Sequence, residues 1–434
     1  MHRGIRAGAL ALLGVLVVGL AALPVINGIY AERIYRTQVD AAEAQLVATG
    51  PDAPMLELVD YQRGLYRSEA VTRVTWPAAA VEPTWRHALE LPEGPLEVIL
   101  ETSVRHGMDG VRYQGGLADG GPVVRWLERV GGDRDSLRLA GRIGYWSQTM
   151  TLEVAELEGR LPPANQLQLD SGELSLELRY HPGRETLDGA LQWPGLTITD
   201  PRGGDTLTLR DINGAWQLAW REVGDEGLWV GESHLDTGLV VMTSLDQPPV
   251  RVDGLRLATQ TRVADSDNMS LGGSLDWDSL SVPPNPVLDG GLEFRADGLP
   301  LEPFMALSAD GAAEGDLLAM LAEGGPRLSL ERFRVGTGPG RGVEASGSLQ
   351  VSPAMAGPLR QGVGAWTLLA FVDAGVSLTM DPALGDQMAP AQRDWLRQLE
   401  AFGVLRRSEG QWQTELTFRD GALRVNDVPW WRMP

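Results

Sequence analysis

Apolar and polar residues alternate with a period of two through most of this chain, and no other feature restricts the fold as much. The stretch "ELSLELRY" sets Leu174, Leu176, Leu178 and Tyr180 on one side of an extended backbone, with polar residues on the other. "DTLTLRDINGAWQLAW" continues with Leu207 and Leu209, then Trp216, Leu218 and Trp220 after an Asn213-Gly214 pair that suits a hairpin turn. "LRLATQTRV", "MSLGGSLDWDSLSV" and "VEASGSLQV" repeat the pattern. Helical periodicity is sparse; its clearest instances are 300–324 and 386–403. The expected fold is β-rich α+β, a long curved antiparallel sheet with a few packed helices.

The beginning of the chain obeys a different rule. Ala7 to Ile29 carries no charge and would span about 35 Å as a helix, against a hydrocarbon core of about 30 Å. A cleaved signal peptide is the competing reading, with Gly19-Leu20-Ala21 as its cleavage site, but the apolar run continues past that site through Val25 and Ile26. The expectation is therefore one uncleaved transmembrane helix at 7–29 after a short cytoplasmic N-terminus at 1–6. Tyr35, Val39, Ala42 and Leu46 then form one stripe of an amphipathic helix, so 30–50 reads as a juxtamembrane helix and linker, closed by "TGPDAP". Residues 51–434 form the β-rich domain, expected outside the cytoplasm.

In "YQRGLYRSEAVTRVTW", Tyr66, Ser68, Ala70, Thr72, Val74 and Trp76 share a face, and Gly64 suits a bend or bulge before them. "GQWQTELTFRDGALRVNDVPW" reads as a hairpin around Asp420-Gly421. Tyr61, Gly64, Leu65 and Tyr66, with Asp420, Gly421 and Asn426, resemble motifs of the YdgA-like family of bacterial inner-membrane-anchored envelope proteins. That family typically has Val-Asn-Gly after its terminal hairpin; here Asp427 stands in place of the glycine. "LLAMLAEGGPRLSLERFRV" is similar to its recurring helix, Gly-Pro break and strand. The resemblance implies a single-pass inner-membrane protein with most of its chain in the periplasm and no established activity.

Composition and motifs remove most chemistry. A net charge of −21, with every basic side chain an arginine, opposes binding to nucleic acid. No cysteine is present, so disulfides and thiolate sites are excluded. The five histidines, at 2, 87, 106, 181 and 234, form no metal-ligand spacing. "GTGPGRG" fails the dinucleotide fingerprint at Arg341, and no G-x-S-x-G elbow occurs. Asp265, Asp267, Asn268, Asp276 and Asp278 supply oxygen ligands without the spacing of a calcium loop, and a solvated turn accounts for them. Trp216 and Trp220 share a strand face and read as core. No catalytic, cofactor or metal site is expected, and the protein reads as no enzyme. Two functions fit: holding lipid in an apolar groove lined by Leu174, Leu176, Leu178, Leu207 and Leu209, or scaffolding envelope assembly with those leucines in a closed core. The expected partners are the inner membrane and either lipid or an envelope protein.

Overall fold

The computed structural model describes residues 29–33, 35–37, 39–40, 43, 53–64, 66–77, 94–107, 109–160, 167–223, 226–245, 247–263, 268–301, 303, 314–338, 341–361, 368–383 and 390–432. The expected span at 7–29 lies outside them except for Ile29. No described helix is long and apolar enough to cross a membrane. The chain divides into two compact units, Met1–Asn213 and Gly214–Pro434.

The first unit contains β1 (Met55–Arg63), β2 (Arg67–Trp76), β3 (Leu96–Gly107), β4 (Gly110–Leu117), β5 (Leu137–Ile143), β6 (Gln148–Val154), β7 (Leu157–Arg160), β8 (Gln168–Ser171), β9 (Leu174–His181) and β10 (Thr186–Thr199). Neighbours pair antiparallel in the order β1-β2-β3-β4-β5-β6-β9-β10, with β8 on the far part of β10 and β7 on β8. Register fixes sidedness, because side chains opposite one another share a face. Thr72 pairs with Leu100 and Leu100 with Leu117. Leu139 pairs with Leu152, Leu152 with Leu176 and Leu176 with Leu191. One face of eight strands is thus largely apolar.

Two helices lie on that face. The described residues from 29 to 43 are helical, as the stripe through Tyr35 and Val39 predicts, and Ala31 packs with Val104 and Val111. Helix α1 (Pro122–Arg129) was not legible in the period-two pattern; its Val124 and Leu127, with Val130, close over Leu117, Leu157 and Leu169. Gly159 permits this approach, since a Cβ there would strike the Val130 backbone.

The 61–76 stretch is a hairpin rather than one kinked strand. β1 and β2 pair antiparallel, Gly64 lies in their connection, and the bulge falls between Leu58 and Asp60. Gly64 does not adopt a positive φ; glycine is needed because a Cβ would collide with the Arg67 carbonyl oxygen. The expected turn at Asn213-Gly214 is also corrected. β11 (Thr206–Val223) runs straight through it. Leu207 and Leu209 are odd-numbered whereas Trp216 and Leu218 are even, and this change of phase belongs to a strand irregularity at Asp211, whose φ is 55°.

The second unit is an antiparallel succession of β12 (Glu226–Ser244), β13 (Gln247–Val263), β14 (Asn268–Ser281), β15 (Leu288–Pro300), β16 (Arg327–Gly336), β17 (Gly342–Val351), β18 (Val372–Met380), β20 (Gln411–Arg419), β21 (Ala422–Val425) and β22 (Val428–Arg432), with β19 (Arg406–Ser408) on β20. Leu257, Leu275, Leu292, Phe333, Ala345 and Leu378 stand in one cross-strand row. Helix α2 (Glu314–Glu323) buries Ala319 and Ala322 against Ala356 in α3 (Ala356–Arg360). Helix α4 (Pro390–Ala401) sets Leu396 beside Met380, Leu405 and Trp412. Both lie within the expected helical stretches. Trp216 and Trp220, expected in the core, are only half-buried, and Trp220 meets Trp229 edge to face at 5.3 Å.

Candidate functional site

Between the N-terminal helix and the apolar face of the first unit lies a cleft of about 360 Å³. Ala31 and Tyr35 form its helical wall. Its floor includes Val104, Val111, Tyr113, Leu139, Ile143, Met150, Leu178 and Leu187, with Thr102, Gln148, Thr149 and Tyr180 as polar members. The strand register explains this set. Val104 opposes Tyr113, Val111 opposes Ile143, Met150 opposes Leu178 and Tyr180 opposes Leu187, so one face supplies side chains from six strands.

The helix is held by polar contacts at one side of the cleft. The hydroxyls of Tyr35 and Thr72 share a hydrogen bond of 2.7 Å. The Tyr35 and Tyr61 rings lie 6.0 Å apart, and the Arg36 guanidinium sits 5.9 Å over Tyr61. Glu32 pairs with Arg63 at 3.4 Å and with Arg36 at 3.2 Å. No charged side chain is among the described residues that line the cleft. Burial pushes the Tyr113 phenol up, with Tyr35 nearby adding to the effect, so Tyr113 stays neutral at physiological pH. Burial likewise raises Tyr61, against an opposing contribution from Ser68.

Of the leucines expected to form a groove, Leu178 lines the cleft, and Leu174 and Leu176 extend the same face beyond it, half-buried. Leu207 and Leu209 lie in β11, outside the lining, with the Leu209 carbonyl against Gly195. The motif residues separate into two places. Tyr61 packs on Tyr35 near the cleft; Tyr66 is an exposed bend whose carbonyl accepts the His106 N–H at 2.8 Å; Leu65 lies outside the described residues. Asp420 and Gly421 form the β20–β21 turn with φ of 51° and 67°, and Asn426 and Asp427 form the β21–β22 turn with φ of 50° and 66°. A two-residue turn of this kind puts both central residues at positive φ, which accounts for an Asp-Gly pair in the first and for a glycine in the family pattern at 427. Ala31, Tyr35, Val104, Tyr113, Leu139 and Met150 were not anticipated as a site. Tyr35 belonged to a legible helical stripe, but nothing local pairs that stripe with strands more than sixty residues away.

Ser68 and His106 form a hydroxyl–imidazole pair, but both are buried below the surface of the face. Among the described residues no group of three His, Asp or Glu side chains could hold a metal ion. Asp276 is engaged by Arg332 at 2.8 Å and Asp278 by Arg256 at 2.6 Å, while Asp265 and Asp267 lie outside the described residues.

The described residues thus define a β-rich protein built from antiparallel strands with few helices, and an uncharged cleft in its first unit. The chain belongs to the family described as "Bacterial protein of unknown function (DUF945)", whose model matches residues 6–430. A search of the curated proteins and one of the solved structures found no match.

Proposed function

We propose that this protein is a non-enzymatic, membrane-anchored component of the bacterial envelope that holds lipid acyl chains in the cleft of its first unit. The observation that carries the reading is the lining. In a chain with 22% charged residues, a cleft whose described lining holds no charged side chain selects an apolar guest. Its volume falls in the range of roughly 300–1,000 Å³ usual for small-ligand sites. Support for the membrane comes from the uncharged run Ala7–Ile29 and from the resemblance to the YdgA-like envelope proteins, which implies a periplasmic location for the bulk of the chain.

The test is mass spectrometry of organic extracts from full-length protein purified in mild detergent, compared with Leu178→Trp, which fills the cleft without adding charge. Phospholipid or fatty acid enriched on the wild type and lost from the variant supports the reading. Equal recovery from both, or none from the wild type, removes it and leaves the envelope-scaffold reading with a closed core.

A further inference from the structure

One end of the first unit combines exposed aromatic side chains with a row of arginines. Register aligns Arg67 with Arg105, Arg105 with Arg112 and Arg112 with Arg142, four arginines directly opposite one another on four adjacent strands. Like charges in opposed positions destabilise a sheet unless anions compensate them. Among the described residues the compensation is small: Asp109 serves both Arg142, at 2.8 Å, and Arg112, at 3.4 Å, and Glu69 serves Arg67 at 3.2 Å. So basic a row is out of character for a protein of net charge −21.

The row lies close to three strand connections. The β1–β2 connection carries Tyr66, the β3–β4 turn follows Gly107, and the β5–β6 turn, closed by Gly144 N–H donating to the Ser147 carbonyl at 2.9 Å, carries Tyr145 and Trp146. Tyr66 is 62% exposed, Tyr145 59% and Trp146 87%. The N-terminal helix begins at this same end, because Ala31 packs with Val104, Val111 and Ile143, and Tyr30 beside it is 62% exposed. Aromatic rings and arginines together match the boundary between water and an anionic bilayer, where amphipathic rings sit at headgroup level and guanidiniums meet phosphates.

We infer that this end of the first unit, Tyr30, Tyr66, Tyr145 and Trp146 with the row Arg67–Arg105–Arg112–Arg142, docks on the anionic surface of the bilayer. The inference rests on the anchored reading above for its choice of occupant, since the uncharged run ends at Ile29, two residues before Ala31. Docking brings the mouth of the cleft to the lipid: Ile143 and Gln148, which flank the Tyr145–Trp146 turn, both line it.

The absence of native cysteine allows single labels. Full-length Trp146→Cys, Leu20→Cys and Arg202→Cys, each carrying an environment-sensitive fluorophore, are reconstituted in phosphatidylcholine vesicles with phosphatidylglycerol and spin-labelled lipid. Position 202 lies in the β10–β11 connection, at the other end of β10. Quenching at 146 should exceed that at 202 by about threefold or more, and the Arg105→Gln, Arg112→Gln, Arg142→Gln triple variant should lose about tenfold in lipid-dependent quenching. A label at 146 quenched no more than at 202, while the label at 20 is quenched, overturns docking and leaves the anchor intact. A label at 20 that is not quenched overturns the anchor instead; docking then stands or falls on quenching at 146 alone. A label at 146 shielded from both lipid quencher and aqueous iodide denotes a protein partner and overturns the inference.

Discussion

Ser68 Oγ and His106 Nε2 lie 3.1 Å apart across β2 and β3, with 1% and 5% of the two residues exposed. A polar pair inside an apolar face is tolerated because the hydroxyl and the ring nitrogen hydrogen-bond to each other. Ser68→Ala should leave the imidazole nitrogen without this partner and cost about 1–3 kcal/mol, read as a lowered urea midpoint of the full chain in detergent. An unchanged midpoint would show that the nitrogen finds another partner.

Asn426 is the corresponding polar clasp of the second unit. Its Oδ1 accepts the Glu415 N–H at 2.8 Å, and its Nδ2 donates to the carbonyls of Gly403 and Val404 at 2.8 Å each. Asn426→Ala strands these groups and should destabilise by about 2–4 kcal/mol. The adjacent Asp427→Gly change should stabilise by about 0.5–1 kcal/mol, because glycine adopts φ of 66° without steric penalty. Thermal unfolding of the two variants should move in opposite directions.

Gly64→Val should destabilise by about 1–3 kcal/mol, through contact with the Arg67 carbonyl rather than through backbone handedness. Gly64→Ala tests the distinction. A Cβ alone suffices for the clash, so alanine should lose most of what valine loses; a tolerated alanine would assign the cost to β-branching.

Much of the fold could be read locally. Leu174, Leu176 and Leu178 alternate in a strand as expected, and the Asp420-Gly421 turn falls where its residue types require it. Asn213-Gly214 misled because a turn pair and a change of alternation phase look the same in sequence; a positive φ at Asp211 provides the phase change without reversing the chain. Helix α1 is short and opens on proline, leaving too little periodicity to stand out. The cleft was legible only in part, since β9 revealed Leu178 whereas its partners on β3 to β6 are assembled by long-range register.

Leu176→Glu and Leu178→Glu should differ in degree. Leu178 borders open space, where a carboxylate retains access to water, so that variant should lose lipid and stay folded. Leu176 stands between Leu152 and Leu191 on the half-buried face, and glutamate there should also lower stability by about 2 kcal/mol or more. Lipid recovery combined with far-ultraviolet circular dichroism separates the two effects.

Alkaline phosphatase fused after Pro434 should be active if the chain crosses the membrane once with its N-terminus inside. An inactive fusion, beside an active control fused after residue 50, would reverse the assignment of the β-rich portion to the periplasm.

The uncharged lining also dictates how a guest would respond to conditions. With no ion pair to screen, retention of an acyl chain should be indifferent to ionic strength. Burial raises the Tyr113 phenol from its ordinary value of about 10, so this side chain carries no charge toward a guest at physiological pH. Temperature is the variable that matters: removing hydrocarbon from water carries a negative heat-capacity change, so affinity should weaken on cooling while added salt leaves it unaltered.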